Sequence, residues 1–181
     1  MNQVVTEQTG EGFYVAQFKT TQLAIFSYYI ESQHECLLID PVFDIDLYEQ
    51  FFVDRKSKLK YVFLTHYHAD FLSGHTEFKV PIIMGPNSTR KINTFKVHEC
   101  TDGEVFTLGS VKVKVIHTPG HTMESSCFQL TDSANKDVAL FSGDTVFLGE
   151  VGRPDLACSG NITSADLAGY LYDSVQKVRK L

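Results

Sequence analysis

Apolar positions along this chain recur mostly at a spacing of two, or in short continuous runs. Residues 13–18 and 23–30 are rich in aromatic and β-branched side chains, and the pattern predicts two strands. Ser32-Gln33-His34 predicts a turn, and 36–39 a buried strand that stops at Asp40-Pro41. Over 44–55 the period changes to that of a helix, with Ile45, Leu47, Tyr48, Phe51 and Phe52 on its apolar face. Residues 61–64 form a continuous apolar run, as in a strand covered on both faces. Residues 81–84 predict a further strand, stopped by Gly85-Pro86. Residues 104–108 and 111–116 predict a hairpin around Gly109-Ser110. In its second arm Val111, Val113 and Val115 alternate with Lys112, Lys114 and Ile116, which marks a half-exposed strand. Strands follow at 125–131 and 138–142, separated by a turn at 132–136. The last segment predicts a helix capped by Thr163, with Asp166 in its first turn. Leu167, Tyr170, Leu171, Ser174, Val175 and Val178 share one stripe of it. Many strands, few helices and mostly antiparallel hairpins suit a helix-covered pair of sheets. Periodicity by itself is equally compatible with other α/β layouts.

The length of 181 residues predicts one domain, 1–181, with room for a real core. A chain with 43% hydrophobic and 21% charged residues is not a disordered tail, a collagen-like repeat or a bare coiled coil. Sixteen Lys+Arg against 22 Asp+Glu leave a net charge of −6, which argues against a nucleic-acid partner. Residues 1–12 are polar, the first arginine is Arg55, and the longest apolar stretch, 23–30, is far too short for a membrane span. A cytoplasmic protein with no membrane partner is expected. Cys36, Cys100, Cys127 and Cys158 are widely spaced and form no CxxC unit. They read as buried, inert thiols in a reducing compartment.

Three clusters directly follow predicted strands. Thr65-His66-Tyr67-His68-Ala69-Asp70 follows 61–64, and His117-Thr118-Pro119-Gly120-His121-Thr122 follows 111–116. Ser142-Gly143-Asp144-Thr145 closes the set after 138–141. Loops at strand ends project functional groups from a rigid sheet. Imidazole and carboxylate are the donors preferred by zinc, iron and manganese. A lone histidine is more often a surface or core side chain; three clusters in the same context point to a shared metal. His66 and His68, two apart, converge on one ion only from a turn. His34, His75, His98 and His117 read as turn, surface or packing residues, and Arg153 as half of a salt bridge that fixes its loop.

HxHxD, then TPGHT, then SGDT resembles the metallo-β-lactamase superfamily, over nearly the whole chain, beginning with the early strands and Leu38-Ile39-Asp40-Pro41. The resemblance implies an α/β (α+β) fold, the αββα metallo-β-lactamase sandwich, with a metal site at one edge between the sheets. The superfamily's closing strand and late-histidine loop have no counterpart before Leu181, so the expectation is a domain lacking its C-terminal end. Phe71 stands where members with two metals carry a histidine, and phenylalanine has no lone pair to donate. Residues 147–156, FLGEVGRPDL, resemble the persulfide dioxygenase branch, some of whose members carry rhodanese domains.

That branch implies one iron(II), Fe(2+), per chain, held by His66, His121 and Asp144. Zn(2+) is the alternative. His68 is a direct ligand in a zinc-hydrolase reading and an orienting neighbour in the iron reading, and both roles stay open. Asp70 is the catalytic candidate, by orienting ligands or hydrogen-bonding metal-bound water; in the zinc reading it faces a second metal. The implied reaction oxidises glutathione persulfide with O₂ to sulfite and glutathione. Two alternatives remain: a glyoxalase II-like zinc thioester hydrolase (hydroxyacylglutathione hydrolase), and a non-catalytic or incomplete module of a longer protein. A homodimer and a rhodanese partner domain are the partners the branch suggests.

Overall fold

The computed structural model describes residues 2–20, 25–88, 95–158 and 160–181. Strands β1 (Asn2–Gly10), β2 (Phe13–Thr20), β3 (Phe26–Ser32) and β4 (Glu35–Ile39) run as an antiparallel meander. Helix α1 (Asp46–Asp54) then crosses over, so that β5 (Lys58–Phe63) pairs parallel with β4. Strands β6 (Ile82–Met84) and β7 (Val97–Glu99) extend the sheet, again in parallel, to seven strands in sequence order. A second sheet is an antiparallel meander of β8 (Val105–Leu108), β9 (Val111–His117), β10 (Ser126–Thr131) and β11 (Asp137–Phe141). Helix α2 (Ser164–Val178) follows. Its cap is Thr163, whose hydroxyl accepts from the Asp166 N–H while the Asp166 carboxylate accepts from Thr163.

The layers are those of an αββα sandwich. The alternating residues of β9 explain the inner one: Val111, Val113 and Val115 are fully buried, and Lys112 is exposed. They meet Leu37, Ile39, Phe63 and Ile83 from the first sheet, with Phe128 and Leu130 beside them. On the outer face of the first sheet α1 lays Tyr48, Phe51 and Phe52 against Phe18, Tyr29 and Leu38. Phe18 meets Tyr48 and Phe51 edge-on, with ring centroids 5.1 Å apart in each case.

Most expected elements form within a few residues of their expected bounds. Leu23 and Ala24, the start of the expected strand 23–30, lie outside the described residues. Two strands carried no readable pattern. The described side chains of β1 are exposed, so it has no apolar alternation and is held by pairing with β2. Strand β7 has three residues, too few for a period. Pairing is mostly antiparallel, as expected, and the parallel run from β4 to β7 is the exception, since parallel neighbours are joined by crossovers rather than by hairpin turns with a readable signature. Cys158 is exposed, unlike the other three cysteines, which are buried as expected. Among the described residues no helix is long and apolar enough to cross a membrane.

Candidate metal centre

The three expected clusters meet at one end of the sandwich, beyond the C-terminal ends of β5, β9 and β11. The ligand atoms of His66, His121 and Asp144 lie within 4.8 Å of one another. His66 Nε2 is 3.8 Å and His121 Nε2 3.5 Å from Asp144 Oδ2. The two rings stand edge to face, 4.8 Å between centroids. His66 is buried, while Asp144 keeps 39% of its side chain exposed and forms the open side.

Each ring is oriented from behind. The Thr65 hydroxyl donates to Asp40 Oδ2 at 2.8 Å, so its one hydrogen is used. Its oxygen, 3.0 Å from His66 Nδ1, therefore accepts the Nδ1 proton. The carbonyl of Arg153, 3.0 Å from His121 Nδ1, can only accept as well. Both assignments leave Nε2 as a bare lone pair aimed at the Asp144 carboxylate. Burial pushes the His66 imidazole down to about 3, with His68 and His121 adding to the effect, so the ring is neutral at ordinary pH. Two lone pairs and a carboxylate facing one another repel. A cation between them converts that repulsion into coordination, and the donor set fits one.

Asp40 anchors this arrangement. It is fully buried at the end of β4, with a positive φ of 50°. Besides the Thr65 hydroxyl it accepts the Thr65 N–H at 2.8 Å. His68 Nε2 lies 3.0 Å from Asp40 Oδ1, close enough for an ion pair although not aligned as a hydrogen bond. Burial works against charge on His68, and the Asp40 carboxylate overrules it and raises the imidazole. The Asp40 carboxyl is lowered despite its own burial, chiefly by His68. Phe71 packs its ring 4.4 Å from that of His68.

The 142–153 segment closes the site from the second sheet. Thr118 and Thr145 share a 2.8 Å hydroxyl bond beneath the His121 and Asp144 loops. At Gly152 a Cβ would fall 1.9 Å from the Asp144 carbonyl oxygen and 3.0 Å from His121 Cβ, so the close approach of these loops requires glycine. Asp144 is raised by its burial and by the Asp70 and Asp40 carboxylates, a cost that a bound cation would reverse.

The structure thus brings together His66, His121 and Asp144 and leaves His68 and Asp70 out of the donor cluster. His68 faces Asp40, and Asp70 is exposed on the same loop. Arg153 forms the expected salt bridge, pairing with Asp155 through two hydrogen bonds. His117 accepts no metal-facing position and lies 2.9 Å from the Met123 carbonyl. Sequence reasoning assigned no role to Asp40 or Thr65. The Asp-Pro stop after a buried strand and the threonine before the first histidine were the available signals.

Residues 20–180 match the family described as the Metallo-beta-lactamase superfamily. The chain belongs to that superfamily. A hydroxyacylglutathione hydrolase of Prochlorococcus marinus (strain MIT 9211) is 33% identical over 130 residues, 68% of this chain and 51% of that protein. Another from Francisella philomiragia is 29% identical over 170 residues, 91% of this chain and 61% of that protein. The chain therefore spans about half to three-fifths of the length of these curated relatives. Among solved structures, a metallo-beta-lactamase from Staphylococcus aureus superposes with a TM-score of 0.85 at 30% identity, over 94% of this chain and 53% of that one. ETHE1 from Myxococcus xanthus gives 0.73 at 25% identity, over 91% of this chain and 68% of that one. For a metallo-beta-lactamase-superfamily chain, the His/Asp cluster at this edge implies a metal.

Proposed function

We propose that this superfamily member holds one iron(II) between His66, His121 and Asp144 and oxidises the outer sulfur of glutathione persulfide with O₂. The observation that carries the reading is the three-donor set itself, two Nε2 lone pairs and one carboxylate, with His68 packed against His66 but its Nε2 turned to Asp40. Two histidines and one carboxylate leave positions free for further partners, the arrangement of non-haem iron oxygenases. Persulfide, O₂ and water yield thiol, sulfite and two protons: the S–S bond breaks, the outer sulfur is oxidised and O₂ is reduced. Iron(II), when bound, supplies the O₂ chemistry that no side chain offers.

The chain's own residues bind and orient. Thr65 and the Arg153 carbonyl hold both Nδ1 protons, which keeps the two Nε2 atoms available. Asp40 holds the 65–68 loop through Thr65 and His68. Asp70, exposed beside the cluster, takes up the protons released and passes them to water.

Protein loaded anaerobically with iron is expected to carry one iron per chain and to consume O₂ when given glutathione persulfide. No O₂ uptake with stoichiometric iron overturns the proposal. A second reading, a zinc thioester hydrolase, is favoured by the names of the curated relatives. Two zinc ions per chain, with thiol released from S-lactoylglutathione without O₂, would establish it instead.

A further inference from the structure

A second group of ligand-type side chains lies outside this site. His98 in β7, Cys100 just after it and Glu104 just before β8 bring a ring nitrogen, Sγ and a carboxylate oxygen within 4.8 Å of one another. They sit at the corner where the chain leaves the first sheet and enters the second. We propose that His98, Cys100 and Glu104 form a metal site for a zinc-like divalent cation, which clips β7 to the start of β8.

Four observations support the assignment. The three donors are of the types zinc selects, one nitrogen, one sulfur and one oxygen, and three protein ligands leave a fourth position for water. Glu104 is already pinned: its Oε2 accepts the Thr101 N–H at 2.9 Å, and Oε1 lies 2.7 Å from His98 Nε2. The His98 ring rests edge-on against Phe106, with centroids 5.8 Å apart, so its direction is set by packing. Cys100 is 2% exposed, with a long 3.9 Å contact from Sγ to the His98 carbonyl.

The corner also has a use for a clip. Strand β7 is held to the sheet by a three-residue register with β6, and it ends where the chain changes sheets. A cation bridging His98 to Glu104 would close the Cys100–Glu104 turn and stabilise the folded state by mass action.

Sulfur separates this site from the other one, because His66, His121 and Asp144 contain none. The full chain is titrated with cobalt(II). The expected result is a near-ultraviolet thiolate-to-cobalt charge-transfer band that saturates at one equivalent beyond the His66 site. Cys100→Ser is expected to lose that band while keeping the other equivalent. His98 is exposed, so His98→Gln keeps the fold even if Cys100→Ser does not. It should weaken the band-forming equivalent by more than the roughly 10–100-fold that losing an outer-shell partner costs. Absence of a charge-transfer band in the folded wild-type chain overturns the proposal. So does a band that survives His98→Gln with unchanged affinity, since His98 would then not be a ligand.

Discussion

The two ends of the sandwich solve the same problem in opposite ways. At the end formed by the starts of β4, β5 and β9, every polar group named here has met its complement. Glu35 accepts the Gly109 N–H and the Lys60 ammonium, each at 2.8 Å. The Ser32 hydroxyl donates to the Gly12 carbonyl at 2.6 Å and accepts the Ser110 N–H at 3.0 Å. These bonds fasten the β8–β9 turn to the first sheet. At the other end the same strands deliver Asp40, His66 and His121. There two imidazole nitrogens face one carboxylate, at 3.8 and 3.5 Å. The first end is finished by the chain alone and is largely wet. The second is part-buried and rich in acceptors, which suits a cation. The cluster of carboxylate and lone-pair donors is where a metal is implied.

Substitutions at the two ends should separate stability from metal binding. The largest effect is expected at Asp40, whose truncation leaves the Thr65 N–H and a buried His68 without their carboxylate. Asp40→Ala should cost about 3–5 kcal/mol in denaturant unfolding, in the range for breaking a buried pair by removing one partner. It should also abolish metal binding. At the finished end the largest effect is expected from Gly109. Its φ is +54°, and a Cβ would lie 2.4 Å from the Ser32 carbonyl oxygen. Gly109→Ala should cost about 1–3 kcal/mol while leaving metal content unchanged. A loss of metal in this variant would break the comparison.

Thr65→Val probes the unfinished end without opening a cavity. It removes the acceptor behind His66 Nδ1, and metal affinity measured by competition with a chelator should fall roughly 10–100-fold. Unchanged affinity would show that Asp40 alone positions the loop. The smallest effect is expected at Glu35. The Lys60 ammonium, then the Gly109 N–H, hold its carboxyl below the usual range. A depressed carboxyl contributes stability above its unfolded value, about 4.3. That contribution is lost as pH falls through the lower folded value. The group is exposed, so solvent screens the pair. Glu35→Gln should therefore slightly flatten the acid limb of a pH–stability curve, with no change in metal content.

Much of this contrast was legible beforehand, but unevenly. The Val111/Val113/Val115 alternation announced both a strand and its buried face, because a period of two needs only local residues to read. The His66 and His121 clusters were legible because they interrupt apolar runs with metal-donor side chains. Strand β1 was not legible, since its exposed polar residues carry no face preference and owe their conformation to β2. Asp40 was not legible as an anchor either. Its partners are 25 and 28 positions away in sequence, and no local pattern links them.

The sequence by itself therefore determined the donor types, their places at strand ends and the family to which the spacing belongs. These follow from side-chain chemistry and from periodicities that neighbouring residues impose. Tertiary structure alone decided which nitrogens face inward, that His68 turns to Asp40, and that His98, Cys100 and Glu104 share a corner. A ring's direction is set by whichever acceptor packs behind it. For His121 that acceptor is a carbonyl 32 residues further along the chain, a contact that exists only once both sheets have closed.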